Sequence, residues 1–233
     1  MNDSEIDYLL ESARSSHEPD PQALNRIAAS VQASLKPVRP LPPNWVLTAV
    51  LFLIAATVVI AGAAHAGFSG IEQMAHWQRM LVFPALAFLI SITAAEFVSA
   101  MVPGNRRRIS SGPLLAVTVA VLAAAFALSF RDYQTTNFVS SGIICLLRGT
   151  LCALPAALLS WLLLRRGFAV KPVSAGLAVG ALAGLAGLGF LEMNCTNFQA
   201  AHVLVWHIAV VPVCAIAGAL AAWLLHRLRL WHA

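Results

Sequence analysis

Apolar residues along this chain come in long unbroken runs rather than in the short alternations of a soluble fold. Six such runs stand near residues 45–65, 81–101, 113–130, 146–164, 172–191 and 203–225. Each holds roughly 18–23 residues, and about 20 helical residues cover a hydrocarbon core of about 30 Å. The pattern predicts an all-α membrane protein, a bundle of six transmembrane helices. The links near 66–80, 131–145 and 192–202 are short, which leaves no room for a folded domain on that side. Pro155 falls inside the fourth run, where a kink is tolerable, and Arg148 near its end can snorkel to the interface.

The residues before the first run are polar. Two short helices are expected there. One follows Ser4, with Asp7 in a weak capping position, and carries Ile6, Leu9 and Leu10. The other starts at Asp20, a good N-cap, with Pro21 at the first helical position. Leu24, Ala28, Val31 and Leu35 then recur three or four apart and form one apolar stripe. Lys36 to Pro43 contains four prolines and reads as a stiff extended spacer. The expected organisation is a tail at 1–43, a transmembrane domain at 44–226 and a short C-terminal tail at 227–233. No secretory signal pattern precedes the first run, which has no evident cleavage site.

Composition supports the bilayer. Apolar residues make up 59% of the chain and charged residues 11%, against about 25% charged in a soluble domain. The formal net charge of +5 comes from small basic groups between apolar runs, not from one patch, so topology explains it better than nucleic acid does. Arg14, Arg26, Lys36 and Arg39 precede the first run. Arg106, Arg107 and Arg108 follow the second, Arg165, Arg166 and Lys171 the fourth, and Arg227 and Arg229 the sixth. Of the 15 basic residues only Arg79, Arg131 and Arg148 fall elsewhere. Loops rich in Lys and Arg stay in the cytoplasm, so both termini are expected there.

Some residues stand out from this apolar background. Gly176, Gly180 and Gly184 lie four apart in the fifth run and form a groove for close helix packing, inside the bundle or at a homodimer seam. Glu96 is ionisable within the second run; near its cytoplasmic end it is expected to reach the interface or pair with Arg106–Arg108. No second intramembrane carboxylate is expected. Cys145 and Cys195 fall on the same outer side, where they could form a disulfide, sense oxidants or thiophilic metals, or be two unreactive small residues. Cys152 and Cys214 lie inside apolar runs and read as packing residues. His202 could join Cys145 and Cys195 at a metal, although a satisfied interfacial histidine is commoner. His207 follows five residues later; an α-helix turns about 500° over that span, which points the two imidazoles about 140° apart. Trp77 and Trp206 suit an outer aromatic belt and Trp45 an inner one. Phosphate-binding, hydrolase and zinc-protease motifs are absent, as are a selectivity filter and paired broken helices.

Four passages carry a resemblance to a known family. They are the amphipathic stretch leading to Lys36-Pro-Val-Arg-Pro-Leu-Pro-Pro43, and Pro103-Gly-Asn-Arg-Arg-Arg108 after the second run. Cys145-Leu-Leu with Pro155 and Leu163-Leu-Arg-Arg-Gly167 follows, and then Cys195 before His202-Val-Leu-Val-Trp206-His207. Over roughly residues 22–226 the chain resembles the negative regulator of sigma F family, six-helix membrane anti-sigma factors of bacteria. The resemblance implies a binding and sensing protein of the bacterial inner membrane, not an enzyme, without a cofactor. It implies that the N-terminal segment, through Leu24, Ala28, Val31 and Leu35, binds an extracytoplasmic-function sigma factor, with no direct contact to nucleic acid. It also implies that Cys145 and Cys195 are an outer-face sensing pair for an oxidant or metal, with His202 beside them. Residues 1–20 look like an extension. The competing expectations are a small transporter or channel, favoured by Glu96 and the glycine-rich run, and a membrane thiol oxidoreductase, favoured by the cysteines but lacking a CxxC pair.

Overall fold

The computed structural model describes residues 21–34, 42–101, 110–135, 137–164 and 171–231, together with 5, 7 and 8. They fall in two units, 1–41 and 42–233. In the first unit Pro21–Ser34 form helix α1. Proline suits its first position because the N–H it lacks would have no intrahelical partner there. Leu24, Ile27, Ala28 and Val31 are exposed and recur at i, i+3, i+4 and i+7, the spacing of one helix face. Ile27 thus joins the expected stripe. Leu35, Ile6, Leu9 and Leu10 lie outside the described residues, as do Arg106–Arg108, Arg165 and Arg166.

The second unit holds α2 (Asn44–Ala66), the short α3 (Ser69–Gln73), α4 (His76–Met101), α5 (Ser111–Ser129), α6 (Phe138–Leu164) and α7 (Pro172–Asn194). The last helix, α8, has three consecutive pieces: Ala200–His202, a π-helical turn Val203–His207, and Ile208–Trp231. Six of these helices are long and apolar enough to cross a membrane. Two begin well before their apolar runs. α4 starts at His76 rather than near 81, and α6 at Phe138 rather than near 146. Hydropathy falls at His76, Gln78, Arg79, Ser140 and Ser141, but the helical backbone continues through them. Cys145 therefore sits two turns inside α6, not at its mouth.

Five of the six long helices, all but α7, present Leu outward. Leu147, Leu151, Leu154 and Leu158 form an exposed stripe along α6 that only lipid covers favourably. Pro84 and Pro155 lie within α4 and α6. Burial concentrates on α7: 78% of its most apolar stretch is enclosed, against 22–50% for the other five. It packs on α2, α4, α5, α6 and α8, most extensively on α8. Van der Waals packing drives helix association in lipid, so a central helix gains most from small residues that let backbones close in.

Glycines on both helices make the α7–α8 contact. A Cβ on Gly176 would fall on the carbonyl oxygen of Gly218, one on Gly180 on the carbonyl oxygen of Cys214, and one on Gly184 within 2.7 Å of Val211 Cα. Gly218 answers across the seam, where an added Cβ would meet the Gly176 carbonyl oxygen.

Polar contacts tie the helix ends together at one end of the bundle. Asn194 Nδ2 donates to the carbonyls of Ala66 (3.0 Å) and Gly67 (3.1 Å), filling acceptors left by the end of α2. Gly67 turns the chain with φ of 106°. Ser69 Oγ donates to the Asn194 carbonyl at 2.9 Å, and Gln78 Nε2 to the Ser129 carbonyl at 2.8 Å. The Ala200 N–H reaches the Asp132 carbonyl.

Gly180→Val should lower the thermal unfolding midpoint of the purified protein in detergent, by the equivalent of about 1–3 kcal/mol for an overpacked contact. Gly112, which has nothing within 4 Å of an added Cβ, gives the control. Gly112→Ala should leave the midpoint within about 0.5 kcal/mol of the parent.

Candidate functional site

At the end of the bundle closed by Asn194, three segments bring sulfur and imidazole groups together. Cys145 lies two turns into α6, Cys195 follows the last residue of α7, and His202 and His207 open α8. One ligand atom from each of the four lies within 4.8 Å of the others. The sulfurs of Cys145 and Cys195 are 3.5 Å apart, and Cys195 Sγ is 3.8 Å from His202 Nε2. Both histidines are fully buried, Cys145 is buried, and Cys195 is partly open.

The π-turn corrects the expected divergence of the two histidines. Across Val203–His207 the backbone widens, and the Ile208 N–H returns to the carbonyl of Val203 five residues back. An i→i+5 turn stacks the fifth residue over the first. His202 and His207 consequently meet edge to face, with ring centroids 5.2 Å apart. The 140° expected of an α-helix does not apply across this turn. Trp206 also turns inward: its indole lies where a Cβ on Gly142 would stand and packs at 5.6 Å from the Phe138 ring. Trp45 and Trp77 are exposed.

Glu192 is the residue that the sequence pattern missed. The apolar run ends at 191, which assigns Glu192 to the 192–202 link. In the structure it belongs to α7 and is completely buried. His207 Nδ1 donates to its Oε1 at 2.6 Å. The bundle therefore does contain a second enclosed carboxylate. The available signal was its place three residues before Cys195, one helical turn away.

These bonds set which imidazole nitrogens keep a lone pair. Glu192 takes the proton-bearing Nδ1 of His207, and Nε2 of that ring is buried without a hydrogen-bond partner. Ser141 Oγ already donates to the Asn137 carbonyl at 2.7 Å. Its contact with His202 Nδ1 at 3.5 Å therefore uses the oxygen as acceptor and the ring nitrogen as donor. His202 Nε2, facing Cys195, is the free acceptor of that ring.

Cys195 lies in the link between α7 and α8. The contact with the Cys145 sulfur holds its proton and raises its pKa, and burial pushes the same way; His202 and His207 pull it down by less. The other two cysteines are not among the four grouped residues. Cys152 packs beside Gly62 and Cys214 beside Gly180.

Glu96 occupies a different place, near the end of α4 where the chain leaves for α5. It is only 6% exposed, and Ser111 Oγ donates to it at 3.1 Å while lying 2.9 Å from Ser174 Oγ. It is thus enclosed, with Ser111 as a hydroxyl donor; Arg106–Arg108, its other expected partners, lie outside the described residues.

A family model described as negative regulator of sigma F matches residues 32–228 of the 233-residue chain. No curated protein and no solved structure matches it. The six spans make the chain a multi-pass inner-membrane protein, and the matched family is named for regulation, not catalysis.

Thiolates, not thiols, are alkylated and oxidised. Because the pKa of Cys195 is raised, its alkylation rate in detergent-solubilised protein should be low at neutral pH. It should keep climbing above the ordinary thiol range of about 8.5. Cys145→Ala removes the neighbouring sulfur and should speed the reaction at neutral pH. Peptide mapping of labelled Cys195 after timed exposure to iodoacetamide checks both.

Proposed function

Since the chain belongs to the negative regulator of sigma F family, we propose that it is an anti-sigma factor of the bacterial inner membrane. In this reading its N-terminal segment lies in the cytoplasm and holds an extracytoplasmic-function sigma factor away from RNA polymerase. A signal at the outer face, an oxidant or a metal, reaches Cys145, Cys195 and His202 and releases the sigma factor. The observation that carries the reading is the family match over 32–228, which takes in the end of α1, all six spans and all four residues of the cluster.

Two further features support it. The α1 stripe of Leu24, Ile27, Ala28 and Val31 is exposed, and an amphipathic helix of that kind gains stability by entering a partner's apolar groove. The distribution of Lys and Arg favours both termini in the cytoplasm, which puts the end of the bundle carrying Cys145 and Cys195 outside. For release to follow from a change at the cysteines, the bundle needs two packings with different affinity for the sigma factor. A new bond between the sulfurs would fix α6 against the link that joins α7 to α8.

A pull-down of the full-length protein, co-expressed with the sigma factor encoded beside its gene, tests the binding step. Retention is expected with the parent chain. It should fall at least about tenfold with Leu24→Asp and Val31→Asp combined, given about 1 kcal/mol or more for each buried anchor. Equal retention by parent and variant would remove the role assigned to α1, and no retention by the parent would remove the anti-sigma reading. The orientation is read separately, by alkylating intact spheroplasts with a membrane-impermeant maleimide. Cys195 should label from outside after reduction at raised pH; labelling only after lysis places the cluster on the other side.

A further inference from the structure

We propose that Cys145, Cys195, His202 and His207 form a four-ligand site for a thiophilic d10 metal ion, with Zn2+ as its simplest probe. The site deepens the sensing role above: its use as a signal rests on that reading, whereas the binding of the ion does not.

The distances fit a tetrahedron. With Zn–S of about 2.3 Å and Zn–N of about 2.0–2.1 Å, two sulfurs on one ion stand about 3.8 Å apart, and a sulfur and a nitrogen about 3.5 Å apart. The sulfurs here are 3.5 Å apart and Cys195 Sγ is 3.8 Å from His202 Nε2. No pair in the set exceeds 4.8 Å, so the widest edge needs to shorten by at most about 1.5 Å. Two sulfurs and two imidazoles also match the preference of soft closed-shell ions, and are a poor set for Mg2+ or Ca2+.

The hydrogen bonds prepare both rings for the same task. A histidine that binds metal through one nitrogen gives its other N–H to a carboxylate, hydroxyl or carbonyl, which fixes the tautomer and the ring plane. His207 gives Nδ1–H to Glu192, and His202 gives Nδ1–H to Ser141. Each ring is left with Nε2 as the available donor atom. That of His207 is wholly buried and has no hydrogen-bond partner, although an orphaned acceptor at such depth is destabilising. A bound cation is the partner its position allows. The π-turn has the same consequence, since without it His207 would point away from the other three ligands.

Charge is balanced in the inner shell. The ion displaces the protons of the two thiols, both protons leave to solvent, and two thiolates with two neutral imidazoles neutralise the divalent ion. No electron is transferred and no oxidant is needed. Cys195 is the partly open member of the set, so the ion enters by the link between α7 and α8. Cys152 and Cys214, half-buried further along α6 and α8, are not part of the site.

The experiment uses the full chain, purified in detergent, reduced and dialysed against a chelator. Zn2+ titration should give one ion per chain. X-ray absorption of that sample should show two sulfurs near about 2.3 Å and two nitrogens near about 2.0–2.1 Å. Co2+ in its place should show thiolate charge transfer and the intense visible bands of a tetrahedral site. His207→Ala should weaken binding at least about a hundredfold. Glu192→Gln should weaken it about 10–100-fold and keep the two-sulfur, two-nitrogen spectrum. The combined Cys152→Ser and Cys214→Ser variant should bind as the parent does. A parent chain that keeps no Zn2+, a shell of oxygen and nitrogen alone, or undiminished binding by a folded His207→Ala chain overturns the site. The absorption spectrum of the unmutated protein decides the ligand set even if a variant does not fold. Zn2+ binding without sigma-factor retention would leave the site standing and remove the anti-sigma reading; retention without Zn2+ binding would do the reverse.

Discussion

The close approach of α7 to α8 fixes the geometry of everything else in the bundle. Lipid offers no hydrophobic reward for bringing two apolar helices together, so contact has to come from packing and from hydrogen bonds. Gly176, Gly180 and Gly184 on one helix and Gly218 on the other let carbonyl oxygens rest where a side chain would otherwise begin. With α8 held against α7 along this seam, the place where α8 begins is set by the place where α7 ends. Only five residues, 195–199, join them. Cys195 and His202 are thereby confined near each other by the chain itself, before any bond forms between them.

The π-turn answers a conflict within that arrangement. Glu192 points from the end of α7 toward the first turns of α8, and a carboxylate enclosed at that depth needs a donor. In a regular α-helix His207 would lie on a different face from His202. Widening the backbone over Val203–His207 puts His207 over His202 and within 2.6 Å of Glu192. The departure from regular helix thus satisfies a buried acid and closes the Cys–His cluster in one step. Pro212 lies one turn further along α8 and removes the donor that the Ile208 carbonyl would otherwise have. The helix is loosened on both sides of Ile208, and the first turns of α8 are the part least constrained by its own ladder.

The hydrophobic pattern showed the architecture because a span needs a fixed number of apolar residues, and this number is hard to mistake. It showed the glycine groove for a similar reason: spacing by four places small residues on one face whatever the partner. It did not show the ends of α4 and α6, where polar residues continue a helix beyond its apolar stretch. The candidate site was legible in Cys145, Cys195 and His202, whose place at the same end of the bundle follows from counting spans. It was not legible in His207 or Glu192. Reading His207 needs the backbone to leave 3.6 residues per turn, and nothing in Val203-Leu-Val-Trp206 announces that. Reading Glu192 needs the end of α7 to be placed within three residues, which hydropathy does not resolve.

Physical cost separates the two ends of this bundle. Glu96 is enclosed but answered by Ser111, a hydroxyl that adjusts its hydrogen to suit. At the other end a carboxylate, two imidazoles and two thiols are gathered in a space that leucines would fill with less penalty. Burying a polar group without full compensation costs about 1–3 kcal/mol, and an irregular helical turn gives up part of the backbone ladder as well. The Glu192–His207 bond offsets some of this, yet Glu192 Oε2 and His207 Nε2 remain without partners. A fold that only needed to span the membrane would relieve these groups by substitution. Local rules are broken where function outweighs stability. In this chain three such breaks meet in one place: the π-turn and the orphaned ring nitrogen at the start of α8 lie against the paired sulfurs of α6 and of the link after α7.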